Sequence, residues 1–231
     1  MKKDNSAKNI AKSVKNYFEK GKKLCDQEDY GAAISVFDTA IRLDPNNKDV
    51  HNNRGNAKYL LKQYFEAVSD YDEALRLDPN FAIAYYNRGL AKYNLGHPKD
   101  AISDFDAAIR LDLEFVHAYR NRAVAKSDIG QYFESISDLD VVIRLDPEND
   151  IAYNDRGSTK ANLGHHDSAI SDYDAAIRIN PDYLFPYFNR GISKRELGRN
   201  AEAEQDFQKA LSLAQESEDA ELIGHIKKQM Q

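Results

Sequence analysis

The sequence predicts an all-α fold, a solenoid of tandem helix-turn-helix repeats. Three observations support this prediction: a gap-free period, small and large side chains at fixed places within that period, and apolar stripes at helical spacing. The chain of 231 residues is 30% charged and contains no Trp and little Gly or Pro, which suits a long helical protein with solvated faces. Each unit of such an array contacts only its neighbours, so the period defines the architecture.

Six segments align without a gap at a period of 34 residues, and places are numbered below from the first residue of each segment. The segments begin at Val14, Lys48, Ala82, Val116, Asp150 and Leu184. We therefore predict six repeats, over residues 14–47, 48–81, 82–115, 116–149, 150–183 and 184–217. Residues 1–13 are predicted as a basic N-terminal extension, and residues 218–231 as a C-terminal capping helix with an apolar stripe.

Small residues at the eighth place are matched by large ones at the twenty-fourth. The eighth place holds Gly21, Gly55, Gly89, Ala123, Gly157 and Gly191, and the twenty-fourth holds Phe37, Tyr71, Phe105, Leu139, Tyr173 and Phe207. A small residue lets two helices approach closely, so we expect the two helices of each repeat to interlock here. Caps at Gly96, Gly130, Gly164 and Gly198, and closing dipeptides such as Asp78-Pro79, predict the order helix, turn, helix, short loop.

This pattern resembles the tetratricopeptide repeat family over residues 14–217. The resemblance implies a right-handed α-α superhelical solenoid that binds protein, with places 2, 5, 6, 9, 12 and 13 of each repeat facing a concave groove. The departures are local: Leu113 replaces a closing Pro, His51 an aromatic residue at the fourth place, and Ala123 a Gly.

The groove places carry a file of polar residues. The sixth place holds Asn53, Asn87, Asn121, Asp155 and Asn189 after Glu19 in the first repeat. An amide offers both a donor and an acceptor to a peptide backbone. The file is similar to the asparagine ladder of the O-linked N-acetylglucosamine transferase, which holds extended substrate protein, and this role carries over to the four Asn residues. The alternative interpretation is that these amides only cap or solvate a polar face.

Other groove residues favour protein contacts, because Tyr and Arg are frequent hot-spot residues in interfaces. We predict that Tyr59, Tyr86 and Tyr93 bury an apolar side chain of the partner. The remaining predicted contacts are Asn56, Arg120 and Phe188. A subclass of the family grips the C-terminal carboxylate of heat-shock chaperones with groove cations, but the window around Asn52, Asn56 and Asn87 lacks those cations, which disfavours this partner.

Charged residues also recur with the period. From the second repeat onward, Arg at the seventh place, Lys at the eleventh and Asp at the twenty-third occur together, as in Arg88, Lys92 and Asp104. They are either an ionic ladder that joins helices or plain solvated charges. Acid-base pairs four residues apart on the second helices are also predicted, at Asp38/Arg42, Asp72/Arg76, Asp106/Arg110, Asp140/Arg144 and Asp174/Arg178.

Several function classes are disfavoured. A single cysteine, Cys25, precludes an internal disulfide and a Cys/His zinc framework, and the His165-His166 pair falls at a turn, so we expect no metal and no cofactor. We also expect no enzymatic activity, because no converging set of catalytic groups is visible. The net charge of −6 argues against nucleic acid, and the lysine-rich first 23 residues are interpreted as a solubilising end. No apolar run predicts membrane insertion or a signal peptide, so we expect a cytoplasmic protein.

Three hypotheses for function follow. The first is a scaffold that binds an extended peptide or a partner domain in the groove. The second is a self-assembling structural protein that stacks end to end, and the third is the targeting module of an enzyme on another chain. The polar capping helix argues against open-ended stacking and favours a monomer.

Overall fold

A computed structural model describes residues 2–216 and 220–230, with side chains from residue 8 onward, and these residues form thirteen α-helices. Their bounds are α1 (Lys2–Asp26), α2 (Tyr30–Leu43), α3 (Lys48–Leu60), α4 (Tyr64–Leu77), α5 (Ala82–Asn94), α6 (Pro98–Leu111), α7 (Val116–Asp128), α8 (Tyr132–Leu145), α9 (Asp150–Asn162), α10 (His166–Ile179), α11 (Leu184–Glu196), α12 (Asn200–Glu216) and α13 (Ala220–Gln229).

The predicted all-α solenoid of helix pairs is confirmed. The first helices α3, α5, α7, α9 and α11 begin at the first residue of their predicted repeats, and every second helix begins at the seventeenth place. α1 instead begins at Lys2, so the predicted extension continues the first helix. The predicted boundary between the last repeat and the cap, at residues 217 and 218, lies outside the described residues. The chain divides into two compact units, Met1–Ala118 and Tyr119–Gln231.

In five of the six helix pairs, a glycine on the first helix faces an aromatic ring on the second. A Cβ on Gly89 would lie 2.7 Å from Cε1 of Phe105, and a Cβ on Gly191 would lie equally close to Phe207. Such contacts are too short for real carbon atoms, so the ring occupies the space that a larger residue would need. In the fourth repeat both residues of this pair differ: Ala123 replaces the glycine and Leu139 replaces the ring, and both are buried.

The turns between helices also follow the sequence. Gly96, Gly130, Gly164 and Gly198 adopt φ between 75° and 81°, the left-handed conformation of a helix C-cap, while Lys62 adopts φ 61° at the equivalent place. The Asp that closes a second helix is extended, as the residue before Pro must be. Asp112 has the same conformation, with φ −140° and ψ 100°, although Leu113 follows it in place of Pro.

The periodic charges form an ionic ladder between helices, as one of the two interpretations predicted. Arg88 donates from Nε and Nη2 to the two carboxylate oxygens of Asp104, at 2.9 and 2.6 Å, and from Nη1 to Asp72 of the preceding repeat at 2.6 Å. Lys92 Nζ lies 2.7 Å from Asp104, which is only 3% exposed. Each buried carboxylate of this kind therefore has two cationic partners. Arg54, Arg156 and Arg190 repeat the arrangement.

Four of the five predicted acid-base pairs four residues apart are corrected by this ladder. Asp38 pairs with Arg54 and Asp72 with Arg88, each at 2.6 Å, and Asp140 and Asp174 likewise pair with an Arg of the next repeat. Arg42 donates to Thr39, and Arg76 donates to Glu73. Spacing within one helix does not predict this pairing. The Arg of the next repeat is held by the buried Asp of its own repeat, and this contact places its guanidinium group beside the exposed Asp.

α13 covers the end of the second unit. Ile226 is fully buried in a cluster with Leu184, Phe188, Phe207 and Leu213 of α11 and α12. Arg195 fixes the end of α13 by donating to the Gln229 backbone oxygen at 2.7 Å. Across the described ranges, no helix combines the length and the apolar character needed to cross a membrane.

The contact between glycine and ring predicts a coupled pair of substitutions. Gly89→Ala should lower the free energy of unfolding by about 1–2 kcal/mol, because the new methyl group collides with Phe105. Adding Phe105→Leu to Gly89→Ala should cost less than the sum of the two single changes, because the pair then reproduces Ala123 and Leu139. Urea unfolding of the double-mutant cycle measures this. Gly31→Ala is the matched control: nothing lies within 4 Å of its added Cβ, so it should be neutral or stabilising. Additive energies would contradict the coupling.

The ionic ladder predicts that losing one arginine is costly. Arg88→Met leaves buried Asp104 with Lys92 alone, so we expect a loss of about 3 kcal/mol in the free energy of unfolding. Arg76→Met removes an exposed pair with Glu73 and should lower stability much less than Arg88→Met does, because solvent screens an exposed pair. Thermal and urea unfolding of both variants test this difference, and equal losses would show that the ladder contributes no more than a surface pair.

Candidate functional site

The residues at the sixth place link neighbouring first helices. Asn87 Nδ2 donates to Asn52 Oδ1 at 3.1 Å, and Asn189 Nδ2 donates to Asn154 Oδ1 at 3.0 Å. In both pairs the sixth place of one repeat bonds to the fifth place of the repeat before it. We call the Asn residues of the sixth place the amide ladder. Asn87 and Asn189 of this ladder join neighbouring first helices, because they use part of their hydrogen-bonding capacity between helices.

A charged pair takes the same role in the second unit. Arg120 Nε donates to Asp155 Oδ2 at 2.9 Å, again from the fifth place of one repeat to the sixth place of the next. The Asp155 side chain is 19% exposed. Burial raises the pKa of Asp155 above its ordinary value, while the charge and hydrogen bond of Arg120 act in the opposite direction. Asp155 is thus a partly desolvated carboxylate inside the predicted groove.

Ten of the eleven predicted site residues are half-buried: Asn53, Asn56, Tyr59, Tyr86, Asn87, Tyr93, Arg120, Asn121, Asp155 and Asn189. Asn53 Nδ2 donates to the backbone oxygen of Asp49 in its own helix at 2.8 Å. Within this ladder, the structure thus shows Asn87 and Asn189 bonded to a neighbouring helix, and Asn53 bonded within its own.

Two aromatic residues at predicted groove places pack on other rings of the protein. Phe188 is only 8% exposed, and its ring lies 5.9 Å from that of Phe207 and 5.4 Å from that of His225, so it belongs to the core beneath α13 and is corrected as a groove contact. Tyr86 packs its ring 4.9 Å from Phe115 and 5.9 Å from Phe105. The loop before α7 thus supplies one of the two aromatic partners of Tyr86.

A pocket of about 230 Å³ lies among α3, α4 and α5 in the first unit, and we call it the tyrosine pocket. Tyr71 donates its hydroxyl to Asn56 Oδ1 at 2.8 Å, and Asn94 Nδ2 donates to the Tyr59 hydroxyl at 3.0 Å. Burial raises the pKa of both tyrosines. The lining residues are Asn56, Tyr59, Leu60, Tyr71, Asn87 and Leu90.

A second pocket of about 230 Å³ lies among α7, α8 and α9 in the second unit, and we call it the hydroxyl pocket. It occupies the equivalent places of its repeats but has different chemistry, since its lining residues are Val124, Ser127, Asp128, Ser135, Leu139, Asp155, Ser158, Thr159 and Asn162. Sequence reasoning did not single out Ser127, Asp128, Thr159 or Asn162 as site residues. Three of them could have been found from their position alone. Ser127, Asp128 and Asn162 stand at the twelfth and thirteenth places, which the family resemblance assigns to the groove.

Family models match most of this chain. A model described as TPR repeat matches residues 21–62 and 55–96, and models described as tetratricopeptide repeat match residues 82–115, 151–183 and 186–217. The chain belongs to the tetratricopeptide repeat family. The matches to residues 82–115, 151–183 and 186–217 each follow one helix pair of the structure. None of these matches covers residues 116–150, which contain Ala123 and Leu139.

Solved structures of tetratricopeptide repeat proteins resemble the chain. The crystal structure of MamA is 28% identical, with a TM-score of 0.66, over 71% of this chain and 95% of that one. YrrB, described as a TPR protein with an unusual peptide-binding site, is 23% identical with a TM-score of 0.66, over 77% of this chain and 95% of that one. PilW, described as a type IV pilus biogenesis factor, is 18% identical with a TM-score of 0.81, over 92% and 97%. No curated protein sequence matches the chain.

The pair of Arg120 and Asp155 predicts a pH-dependent stability. Arg120→Gln removes the cation that lowers the pKa of Asp155, so this pKa should rise further above its value in the unfolded chain, about 3.9. A buried acid with a raised pKa costs stability when ionised, and the cost fades as pH falls toward the unfolded pKa. The variant should therefore be roughly 1–3 kcal/mol less stable than the parent at pH 7, with a smaller gap at pH 5.

Urea unfolding at the two pH values measures this gap. The comparison of Asp155→Asn with Arg120→Gln/Asp155→Asn is the control, and its gap should not depend on pH, because the titrating carboxyl is absent. If the parent and Arg120→Gln differ in free energy of unfolding by the same amount at pH 5 and at pH 7, the raised pKa of Asp155 has no effect on stability.

Proposed function

We propose that this protein is a non-catalytic interaction scaffold that holds an extended segment of a partner protein along the first helices of its repeats. The observation that carries the proposal is the amide ladder at the sixth place, together with the tyrosine pocket beside it. Asn87 belongs to both, because it donates to Asn52 and also lines the pocket. The side chain that would bond to a peptide backbone therefore also lines the pocket that would take a peptide side chain, and extended peptides are recognised by this combination.

The ladder suits a partner held mainly by its backbone. Asn87 Nδ2 spends one hydrogen on Asn52, so the second hydrogen and the amide oxygen remain for a ligand. Because the side chain is already fixed by its neighbour, binding a peptide costs less side-chain entropy than it would with a freely rotating amide. Preorganisation of this kind favours binding without demanding one particular sequence.

The tyrosine pocket adds preference for an apolar side chain. Tyr59, Leu60 and Leu90 supply apolar walls, while the Tyr71 and Asn56 side chains satisfy each other. The ring of Tyr59 is held 5.4 Å from that of Tyr64 and by its hydrogen bond with Asn94. A rigid aromatic wall of this type is typical of interface hot spots.

The similar proteins are consistent with this proposal. YrrB is described as having a peptide-binding site and PilW as a pilus biogenesis factor, and both share the helical solenoid fold of this chain. The proposal assigns the chain no cofactor, no nucleic acid and no membrane insertion, and it retains the expectations of a monomer and a cytoplasmic location. The predicted repeat boundaries and the ladder's contacts with a partner are part of this proposal.

The test compares two triple variants in partner capture. Asn53, Asn87 and Asn121 are changed to Ala in the groove variant, and the exposed Asn46, Asn80 and Asn200, which stand outside the groove places, are changed to Ala in the control. Each protein is first checked for helicity and thermal stability. A partner recovered with the parent chain from the source lysate is then titrated against all three by calorimetry.

We expect the groove variant to bind at least tenfold more weakly, about 1.4 kcal/mol, and the control variant to bind like the parent. Tyr59→Ala should weaken binding in addition, because it removes the pocket wall. Undiminished binding by the folded groove variant would place the interaction on another surface and overturn the proposal.

A further inference from the structure

The hydroxyl pocket and the tyrosine pocket are equivalent in position and opposite in chemistry. Both lie between the two helices of one repeat and the first helix of the next, and both include the sixth and ninth places of that next helix. Tyr59, Leu60 and Leu90 of the first pocket correspond to Ser127, Asp128 and Ser158 of the second. One architecture therefore presents apolar walls in one unit, and hydroxyl and carboxylate groups in the other.

The replacement of a ring by Leu139 explains why the hydroxyl pocket reaches further into its unit. In the second repeat, Tyr71 packs on Ala67 and Ala91, which are fully buried. At the equivalent places of the hydroxyl pocket, Ser135 and Thr159 line the cavity beside Leu139. A leucine side chain is shorter than a tyrosine ring, so the cavity extends to residues that the ring covers elsewhere.

The polar groups at the base of this cavity are unusual for a helical core. Ser135 is 1% exposed and Thr159 is 3% exposed, whereas alanine occupies the equivalent places in the second and third repeats. Their hydroxyl oxygens are 3.4 Å apart, and Thr159 Oγ1 donates to the Asp155 backbone oxygen at 2.9 Å. Both hydroxyls thus have a hydrogen-bond partner within the protein, and they give the base of this cavity polar groups where Ala67 and Ala91 offer only methyl groups.

The charged residues that line the hydroxyl pocket favour a ligand of positive charge. Among the described residues, the lining contains two carboxylates, Asp128 and Asp155, and no Lys or Arg. Its remaining polar groups are hydroxyls and one amide, all of which accept hydrogen bonds. Arg120 donates to Asp155 Oδ2, and a carboxylate has about four lone-pair sites, so Asp155 keeps acceptor capacity for a ligand. An anion would be repelled here, whereas a group that carries only donors matches the lining.

We propose that the hydroxyl pocket binds the guanidinium group of an arginine side chain from the segment held in the groove. A guanidinium has five donors and no acceptor, and it pairs with carboxylates more readily than a compact ammonium does. The volume of about 230 Å³ accommodates such a side chain, whose methylene stem would pack on Val124 and Leu139. This inference rests on the proposed function only for the source of the arginine, because the pocket is tested with a small cation.

The test is a titration of the isotope-labelled full chain with n-propylguanidinium, followed by amide resonances in nuclear magnetic resonance spectra. We expect saturable shifts at Ser127, Ser158, Thr159 and Asn162, and weaker binding at high salt because the attraction is screened. n-Propylurea has nearly the same shape without the charge, and it should bind at least fivefold more weakly. Equal responses to the two compounds, or no saturable shift in the pocket, would overturn the proposal.

A variant that restores the ring gives the decisive comparison. Ala123→Gly/Leu139→Phe restores the pair of the other repeats and places a ring over Ser135 and Thr159 while every lining charge is kept, so the guanidinium affinity should fall at least tenfold. Asp128→Asn keeps the volume and should weaken binding threefold or more, and it serves if the ring variant does not fold. Asp100→Asn, which removes an exposed carboxylate outside the pocket, is the control and should leave the affinity unchanged. Full affinity in the ring variant or in Asp128→Asn would refute the assignment.

The two proposals fail separately. If propylguanidinium binds as expected but the triple asparagine variant keeps its partner, the hydroxyl pocket stands and the groove function is wrong. If the asparagine variant loses its partner while propylguanidinium does not bind, the groove function stands and the arginine assignment is wrong.

Discussion

The contact between a glycine and an aromatic ring is the constraint on which five of the six helix pairs depend. A ring that would touch any Cβ on its partner fixes both the separation of the two helices and their rotation, because only one orientation presents the glycine to the ring. The ring also covers residues between its own repeat and the next first helix, as Tyr71 does over Ala67 and Ala91. Where the pair becomes Ala123 and Leu139, the helices still pack, but Ser135 and Thr159 line the cavity beside the leucine. The same substitution therefore preserves the fold and adds two hydroxyl groups to the lining of the cavity.

The ionic ladder addresses a different constraint, the burial of a carboxylate in every repeat from the second onward. Each of these Asp residues is buried and pairs with an Arg and a Lys of its own repeat, as Asp104 and Asp172 do. The same Arg reaches back to an exposed Asp of the preceding repeat, so one side chain links three helices. A buried ion pair adds little net stability over an apolar pair, but it penalises wrong pairings strongly. We interpret the ladder as the feature that fixes the register of successive repeats.

The sequence predicted the helices, the turns and the ring contacts, because each depends on places within one period. Gly96 and Asp78-Pro79 report local backbone geometry, and the pairing of Gly89 with Phe105 needs only one repeat. The failures required knowledge of a neighbour. Phe188 stands at a groove place, but α13 folds back over it, and no periodic rule places a helix that occurs once. Asp38 was assigned to Arg42 by helical spacing, whereas Arg54 was already positioned near it by Asp70. The hydroxyl pocket was missed for the same reason, since its lining combines three helices.

In the proposed function, the groove is a repeated frame with variable walls and not a uniform surface. The frame includes amide links between the fifth and sixth places, which recur as Asn52 with Asn87 and Asn154 with Asn189. These links would offer the same donor and acceptor to any peptide backbone, so they would not tell one peptide from another. Discrimination would come from places 9, 12 and 13, whose side chains differ between the tyrosine pocket and the hydroxyl pocket. Arg120 and Asp155 put a charged pair into the frame, and this pair lies beside the pocket in which Leu139 stands in place of a ring. A charged pair in the frame and hydroxyl groups in the walls thus meet where we propose that a guanidinium group binds.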